Sequence, residues 1–357
     1  MRTDKHRRHH LRFWLLAGLV VLLPLTTLVS LAIGPVNIPV DRVIGILAGC
    51  LGLSDHASYS RAEIVIVTDI RLSRVILAAI VGSGLAMAGA TLQGVFRNPL
   101  ADPGIIGVSG GGAMGAISMI VLGDRLIPPN AYDNFALCAV PLAAVVGAIA
   151  MTFLIYRLSL SRGQVDLVAM LLVGIGINAL GGALIGWLTF VASGDKLQTL
   201  TFWALGSLGK ANWNLVIPGM LIIVPSLLIL TRYAHALNAL LLGESAARHL
   251  GVDVQRVKRS LIVLSAAMVG VTVALCGTIG FIALVAPHMV RSAIGPDHRL
   301  LIPASGLLGA VLLMFADMGA RTFVAPAELP IGILTALLGA PVFLLLLLRR
   351  KRLSAGL

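Results

Sequence analysis

The stretch Arg97-Asn98-Pro99-Leu100-Ala101-Asp102-Pro103-Gly104 is a short polar segment between two apolar runs that are rich in small residues. Proline removes a backbone donor and pushes the preceding residue out of the α-helical region, so Pro99 and Pro103 each interrupt a helix. In the flanking runs a small residue recurs at every fourth position: Gly82, Ala86 and Ala90 before the stretch, and Gly107, Gly111 and Gly115 after it. Such stripes let helix backbones approach closely in lipid. The stretch therefore predicts a tight turn between two packed membrane helices, although an ordinary turn of any membrane protein could share these features.

The composition confines the chain to the class of membrane proteins. Of its 357 residues, 58% are hydrophobic and only 12% are charged, whereas charged residues make up about a quarter of a soluble domain. The formal net charge of +12 could indicate nucleic-acid binding, but the Lys and Arg residues gather at the ends of apolar runs and are not interleaved with aromatic residues. We therefore expect contact with membrane lipid and no nucleic-acid partner.

Apolar runs along the chain are candidate transmembrane helices, for which about 20 residues suffice. They cover 13–33, 74–93, 105–122, 135–156, 167–191, 215–230, 260–276, 279–290, 300–320 and 331–348. The first run is longer than the roughly 7 to 15 apolar residues of a signal peptide, so we expect an uncleaved helix. The runs predict an all-α polytopic membrane protein with about ten transmembrane helices. Its single transmembrane domain covers 13–348, between a basic N-terminal head at 1–12 and a basic tail at 349–357.

The distribution of positive charge predicts how the chain is oriented. If the N-terminus lies in the cytoplasm and the chain crosses ten times, most of its 27 Lys and Arg residues fall in cytoplasmic segments. Cytoplasmic segments of membrane proteins carry an excess of these residues. We therefore expect a multi-pass protein of the inner (plasma) membrane with both termini in the cytoplasm.

The longest predicted cytoplasmic loop contains a segment, 237–251, that has the character of soluble helix. It predicts two short helices that meet near Gly243. Ala246, Ala247 and Leu250 fall at helical spacing and form a small apolar face beside Arg248, which suits a groove on another protein. A solvated connector is the alternative.

The sequence contains no phosphate-binding loop for ATP. Gly206–Lys210 ends in Gly-Lys but is followed by Ala211, which lacks the hydroxyl needed for Mg²⁺. We therefore predict no catalytic residues and no enzymatic activity for this chain. A transporter driven by an ion gradient would place carboxylates or histidines near the bilayer midplane. Asp317 is the acid that falls clearly inside an apolar run, and Arg321 one turn later favours an intrahelical ion pair over a proton relay.

The apolar runs also bear on the kind of cargo. A protein that moved bare metal ions would need clustered His, Cys, Asp or Glu ligands, but these runs contain mostly Gly, Ala, Leu and Ile. We predict no metal site, and a large chelate with an apolar exterior fits better than a bare ion.

Several motifs together resemble the FecCD family, the membrane permeases of ABC importers for iron-siderophores, heme and vitamin B12. The resemblance covers nearly the whole chain after the first run and rests on the motifs RNPLADPGIIGVSGGGAMGA at 97–116, GESAARHLG at 243–251, GTIGFI at 277–282, PH at 287–288, DHR at 297–299, AD at 316–317, AELPIG at 327–332 and LGAP at 338–341. The sequence departs from the family at Ser73 and Thr278, where proline is usual or frequent. These two departures leave the local helix-entry geometry open.

The resemblance implies a BtuC-like type II ABC importer fold and a set of partners. The partners are a second copy of the chain, two cytoplasmic ATPase subunits that handle ATP and Mg²⁺, and a periplasmic or lipid-anchored substrate-binding protein. The resemblance also implies that the coupling segment, at 237–251, engages the ATPase subunits. Its contact residues would be Gly243, Glu244, Ser245, Ala246, Ala247, Leu250 and Gly251.

The resemblance further implies a role for cations near the outer ends of two runs. Arg71, Arg74 and Arg321 would converge around the external entrance as exposed docking sockets, since family members present arginines at matching positions to glutamates of the binding protein. From the residues alone, an ion pair between Arg321 and Asp317 and simple helix anchoring by the other two arginines are equally good explanations.

The expected cargo is an iron complex, either heme or a ferric siderophore, because the segment Phe202–Gly209 is most similar to members that carry these. Vitamin B12 is the alternative within the family. Outside the family, the alternatives are an ion-coupled secondary transporter and a membrane scaffold without a transport role.

Overall fold

The computed structural model describes residues 2–53, 59–126 and 129–354. The helices of the described residues are α1 (Arg2–Ala32), α2 (Val40–Cys50), α3 (Arg61–Val65), α4 (Leu72–Val95), α5 (Val108–Leu126), α6 (Pro129–Leu158), α7 (Leu167–Val191), α8 (Gly194–Ala204), α9 (Trp213–Arg232), α10 (Ala234–Leu241), α11 (Glu244–His249), α12 (Val254–Cys276), α13 (Ile282–Ile294), α14 (His298–Thr322) and α15 (Ile331–Ser354). A π-helical segment, Ile66–Arg71, joins α3 to α4, and a 3-10 turn, Pro103–Ile106, precedes α5. A small antiparallel hairpin pairs β1 (Leu160–Ser161) with β2 (Gln164–Val165), with Leu160 opposite Val165.

The prediction of an all-α polytopic membrane protein is confirmed. Each predicted apolar run overlaps a helix, and within the described ranges seven helices are long and apolar enough to cross a membrane. The apolar segments Ile282–Ile294 and Ile331–Leu345 are shorter, so the count of ten transmembrane helices is approximate. Because α1 begins at Arg2, the basic head continues directly into the first helix.

Helix starts follow local capping chemistry. The side chain of Asp166 accepts hydrogen bonds from Val168 N and Ala169 N at the start of α7, and Asp253 accepts one from Arg256 N at the start of α12. Asn212 and Asp297 cap α9 and α14 in the same way. A capping oxygen satisfies a backbone N–H that has no partner within the helix, which fixes where each helix begins.

The most deeply enclosed helix is α4, which the rest of the bundle surrounds. Its apolar window is 83% buried, against 17% for the window of α7. The backbones of α4 and α14 touch at Gly82 and Gly309, where a Cβ atom on either glycine would overlap the other's carbonyl oxygen. At Gly89 a Cβ atom would overlap the backbone of Ala283 in α13. Close approach of α4 to two neighbours therefore depends on glycine.

The stripe of small residues on α5 packs on α6. A Cβ atom on Gly111 would overlap the carbonyl oxygen of Gly147, and one on Gly115 would overlap that of Ala143. The sequence led us to expect that the helices on either side of the turn at 97–104 pack on one another. Instead α4 places its stripe against α14 and α5 places its stripe against α6, because a stripe identifies a contact face but not the helix that fills it.

The departure at Ser73 has a structural consequence at the start of α4. From Arg61 to Val95 the chain is helical without a break, through α3, the π-helical segment and α4. Ser73 retains the backbone N–H that proline would lack, and its hydroxyl donates to Asp69 O at 2.5 Å. Ser73 therefore adds to this continuous helix a side-chain hydrogen bond that proline could not make.

We expect Gly111→Leu to disrupt the contact between α5 and α6. Overpacking typically costs about 1 to 3 kcal/mol, and occasionally more. The thermal melting temperature of the detergent-solubilised protein should fall, whereas it should change little in Gly18→Leu, since a Cβ atom on Gly18 of α1 meets no atom within 4 Å. Equal melting temperatures for the two variants would contradict this account of the helix contact.

Candidate functional site

The two ends of α4 carry the two groups of polar residues that the sequence singled out. With 24 residues at 1.5 Å each, α4 is about 36 Å long. Arg71 and Arg74 lie at its N-terminal end, and the turn that begins at Arg97 follows its C-terminal end. We refer to Arg71, Arg74, Asp317, Arg321 and Glu328 as the arginine cluster. The opposite end of the bundle, with the coupling segment, is the coupling end.

Arg74 holds two elements of the arginine cluster together. Its Nε lies 2.8 Å from Asp317 Oδ1 in α14, and its Nη1 lies 2.7 Å from Glu328 Oε1 in the loop between α14 and α15. The side chains of Arg74 and Asp317 are 8% and 1% exposed, whereas that of Glu328 is 41% exposed. Glu328 is therefore the member of the pair network that solvent reaches.

Arg321 extends the network toward α1. Its Nε lies 3.0 Å from Asp317 Oδ2, and its Nη2 donates to Ser30 Oγ at 2.9 Å and to Ser30 O at 3.1 Å. The single buried carboxylate of Asp317 thus faces two guanidinium groups. Such a carboxylate is stabilised by opposite charge at close range. Its removal would leave Arg74 paired with Glu328 alone and Arg321 without a counterion among the described residues.

Arg71 closes the C-terminal end of α1. Its Nη1 donates to the carbonyl oxygens of Leu31 and Ala32 at 2.6 and 2.9 Å, and its Nη2 donates to that of Val36. The last carbonyl groups of a helix have no partner within the helix, and a cation there also opposes the negative end of the helix dipole. Arg71 therefore joins α1 to the start of α4.

The coupling end is built around an ion pair between α11 and α12. Lys258 Nζ lies 2.7 Å from Glu244 Oε1, and the Lys258 side chain is only 3% exposed. Ala247 is fully buried on the same side of α11, while Leu242 and Leu250 are 70% and 64% exposed. The coupling segment does contain two short helices, α10 and α11, separated by Gly243. Its apolar face, however, is divided between the protein interior and the surface.

The turn at 97–104 is fixed by its own side chains and by α7. Asp102 Oδ1 accepts from Gly104 N at 2.7 Å, Asn98 Oδ1 accepts from Leu100 N at 3.0 Å, and Asn178 Nδ2 of α7 donates to Gly104 O at 3.0 Å. Partial burial raises the pKa of Asp102, an effect that the hydrogen bond from Gly104 opposes. Pro103 opens the 3-10 turn, and Gly107 ends it in the left-handed region at a φ of 79°.

A cavity of about 600 Å³ joins this turn to the coupling end. Arg97 of the turn, Glu244 of α11 and Lys258 of α12 all line it, together with residues of the β1–β2 hairpin. A displacement of α11 would therefore change the shape of a cavity that the turn also lines.

A second cavity, of about 710 Å³, lies near the arginine-cluster end, between α8 and α12. Phe202, Trp203 and Lys210 line it together with apolar residues of α5, α6 and α9. The loop that carries Lys210 is tied to its neighbours, since Ser207 N donates to Cys276 O at 2.8 Å and Ile331 N donates to Gly206 O at 3.0 Å. This cavity offers flat aromatic surfaces and one cation.

Comparison with known proteins places the chain in a family. A family model described as the FecCD transport family matches residues 21–349. The chain belongs to the FecCD transport family. It is 42% identical to the hemin transport system permease protein HmuU of Yersinia pestis, over 93% of this chain and 96% of that protein. It is also 41% identical to the cobalamin import system permease protein BtuC of Halobacterium salinarum, over 80% of this chain and 74% of that one.

Solved structures agree with the family assignment. A structure described as an inward-facing conformation of a metal-chelate type ABC transporter has a TM-score of 0.79 and 32% identity, and the similarity covers 94% of this chain and 98% of that one. The PsaBC structure from Streptococcus pneumoniae, at 19% identity and a TM-score of 0.52, shows similarity of fold alone. This FecCD protein is thus the permease of an ABC importer and a multi-pass protein of the inner membrane. Among its described residues, no group of three or more His, Cys, Asp or Glu could hold a metal ion.

The three arginines of this FecCD permease are far less exposed to solvent than the sequence predicted. We expected Arg71, Arg74 and Arg321 to be exposed cations at the outer entrance, but they are only 4%, 7% and 3% exposed. They are drawn inward because Asp317 and the carbonyl groups at the end of α1 supply buried acceptors. The expected proximity of Arg321 to Asp317 is present, at 3.0 Å.

Sequence reasoning missed Glu328 and the bridge from Arg74 to Asp317. Arg74 is the third residue of α4, and Asp317 lies near the end of α14. In antiparallel helices these two positions lie at similar depth. A cation in one apolar run and a carboxylate in another could therefore have indicated an ion pair between the two helices. Glu328 lies in the motif AELPIG. The sequence of this motif does not indicate that the Glu328 carboxylate contacts α4.

The exposure of the carboxylates predicts unequal effects of their removal. We expect Asp317→Asn to destabilise the FecCD permease by about 3 to 5 kcal/mol, the cost of breaking a buried ion pair. Glu328→Gln should cost about 1 kcal/mol or less, because exposed pairs contribute little. Denaturant or thermal unfolding of the purified variants measures this difference, and equal stabilities would show that Asp317 is not the buried counterion of this network.

Proposed function

We propose that this ABC importer permease carries an iron complex, heme or a ferric siderophore, into the cell. The observation that carries the proposal is the similarity to the hemin permease, which extends over nearly the full length of both chains. The cavity lined by Phe202, Trp203 and Lys210 is consistent with such a cargo. Aromatic rings pack on flat conjugated ligands, and a cation favours the carboxylates that heme and many siderophores carry. Vitamin B12 is the alternative cargo, supported by the cobalamin permease relatives.

The proposed complex contains a second copy of the permease, two cytoplasmic ATPase subunits and a substrate-binding protein. ATP and Mg²⁺ would be bound by the ATPase subunits, and both termini of the permease would lie in the cytoplasm. In this orientation the coupling end faces the ATPase subunits, and the arginine cluster faces the binding protein on the other side of the membrane.

The proposed ATPase contact is the exposed side of the coupling segment. Leu242 and Leu250 are two large apolar side chains left exposed there, and buried apolar anchors supply much of the energy of protein interfaces. Glu244 is less suited to a direct contact, since its carboxylate is engaged by the buried Lys258. Ser245 and Ala246 belong to the same proposed contact. Gly243 and Gly251 flank α11 at φ angles of 108° and 81°, while Ala247 packs inward.

Transport by the reconstituted complex tests the proposed function. Proteoliposomes that contain permease, ATPase and loaded binding protein are given heme, a ferric siderophore or cobalamin, and ATP-driven uptake of each is measured. We expect uptake of heme or of the siderophore. Uptake of cobalamin alone would overturn the cargo assignment, and uptake that follows an ion gradient without ATP would overturn the importer mechanism.

The same assay tests the coupling surface. Leu250→Glu places a charge in the proposed apolar contact and should lower ATP-driven uptake at least tenfold, whereas Leu250→Met keeps the contact apolar and should retain most activity. Both variants should elute as the wild type in size-exclusion chromatography, because Leu250 is exposed. Full uptake by Leu250→Glu would remove this residue from the contact.

We also propose that the binding protein docks onto Arg71, Arg74 and Arg321. This docking requires that the buried arginines become accessible to acidic residues of the partner. Glu328 forms an ion pair with Arg74 and is the exposed carboxylate of the cluster. An acidic residue of the binding protein would therefore have to displace Glu328 from Arg74. We expect Glu328→Gln to bind the binding protein several-fold more tightly and Arg74→Gln to bind it more weakly. Affinities measured on the solubilised permease decide this, and unchanged binding in both variants would confine the cluster to a role in stability.

A further inference from the structure

A groove on the outer surface of the bundle, between α6, α9 and α12, has no role in the proposed transport cycle. Its volume is about 510 Å³. Ala148, Ala266 and Gly270 leave room at its base, while Phe153 and Val263 beside them are 61% and 59% exposed. The groove forms because small residues of α6 and α12 face each other, while larger side chains stand on either side of them.

The groove continues into a polar cavity at one end. Tyr156 and Arg259 line the groove and also line a cavity of about 240 Å³ that Arg256, Gln255 and Asp253 share. Arg259 Nε donates to Tyr156 Oη at 3.2 Å, so these two side chains form the boundary between the two spaces. The combined space is apolar along its length and polar at one end.

The polar end carries an excess of positive charge. Arg256 and Arg259 lie three residues apart on α12 and are both exposed, and within the described residues neither forms an ion pair with a carboxylate. A third cation, Arg157, sits at the same end with its Cζ 5.8 Å from the centre of the Phe153 ring. The acid that lines the cavity, Asp253, accepts a hydrogen bond from Arg256 N as the cap of α12. The guanidinium groups are therefore available to a phosphate, which they suit geometrically.

The depth of these residues matches that of lipid headgroups. A helix of 23 residues, such as α12, is about 35 Å long and has its ends near the two membrane surfaces. Arg256 and Arg259 occupy its first two turns. One turn deeper than Tyr156 on α6, Thr152 lines the groove and is 7% exposed, and its hydroxyl is buried with no partner among the described residues. Thr152 thus places a polar residue at the depth of the ester groups of a glycerolipid.

We propose that the groove and its polar end bind one anionic phospholipid, with an acyl chain along α6 and α12, the ester near Thr152 and the phosphate between Arg256 and Arg259. The apolar groove alone would not select a lipid, since any acyl chain is equally apolar. Discrimination comes from the headgroup, because basic pockets between membrane helices favour anionic lipids. The site lies on the membrane leaflet at the coupling end.

Native mass spectrometry of the full-length permease tests the proposal. The purified protein is incubated with phosphatidylglycerol or with phosphatidylcholine of the same acyl chains, and retained lipid is counted. The wild type should retain one phosphatidylglycerol preferentially. The double variant Arg256→Gln and Arg259→Gln should lose this preference by roughly 20- to 30-fold, since each basic residue near a membrane surface contributes about fivefold. The matched control, Arg232→Gln, changes an exposed basic residue of α9 that lines neither cavity and should behave as the wild type.

A second variant keeps the test independent of charge. Ala266→Phe fills the groove and should lower retention of the lipid at this site while leaving Arg256 and Arg259 in place. Equal retention of the two lipids by the wild type would overturn the proposal. So would phosphatidylglycerol retention that both the arginine double variant and Ala266→Phe leave unchanged. None of these outcomes depends on the cargo or on ATP, so they are separate from the test of the proposed function.

Discussion

The ion pair between Arg74 and Asp317 is the constraint on which the arrangement of the central helices depends. A carboxylate that is 1% exposed inside a membrane bundle requires a cation, and here α4 supplies one while Arg321 supplies another from within α14. The pair fixes the relative height of α4 and α14. Contact at Gly82 and Gly309 then brings the two backbones together, so charge sets the register of the helices and glycine sets their distance.

The two ends of the bundle are built on different physical principles. At the arginine cluster, cations are buried and satisfied by Asp317, by Glu328 and by the carbonyl groups of α1, which ties four segments into one unit. At the coupling end, one buried lysine holds α11 by Glu244 while Leu242 and Leu250 are left in solvent. The cations of the arginine cluster thus find their partners within the chain. At the coupling end, by contrast, apolar side chains remain exposed in the described part of the chain.

The sequence was a good guide to the elements and a poor guide to their partners. Apolar runs predicted where the helices lie, since length and hydropathy are local properties. The stripe at Gly111 and Gly115 predicted a close contact but could not identify α6 as the partner. The burial of Arg74 could not be foreseen either, because its counterion lies 243 positions away. Ala247 and Leu250 share one predicted face, yet the packing of α11 on α12 turns them to opposite sides.

The unbroken helix from Arg61 to Val95 has a mechanical consequence. At 1.5 Å per residue its 35 residues span about 52 Å, well beyond the hydrocarbon thickness of about 30 Å. Near its middle, contact with Gly309 prevents it from sliding past α14. The helix is also held by the ion pair between Arg74 and Asp317, so it can move only together with α14. A displacement of α14 at the arginine cluster would therefore be carried along one unbroken helix to the turn after Val95.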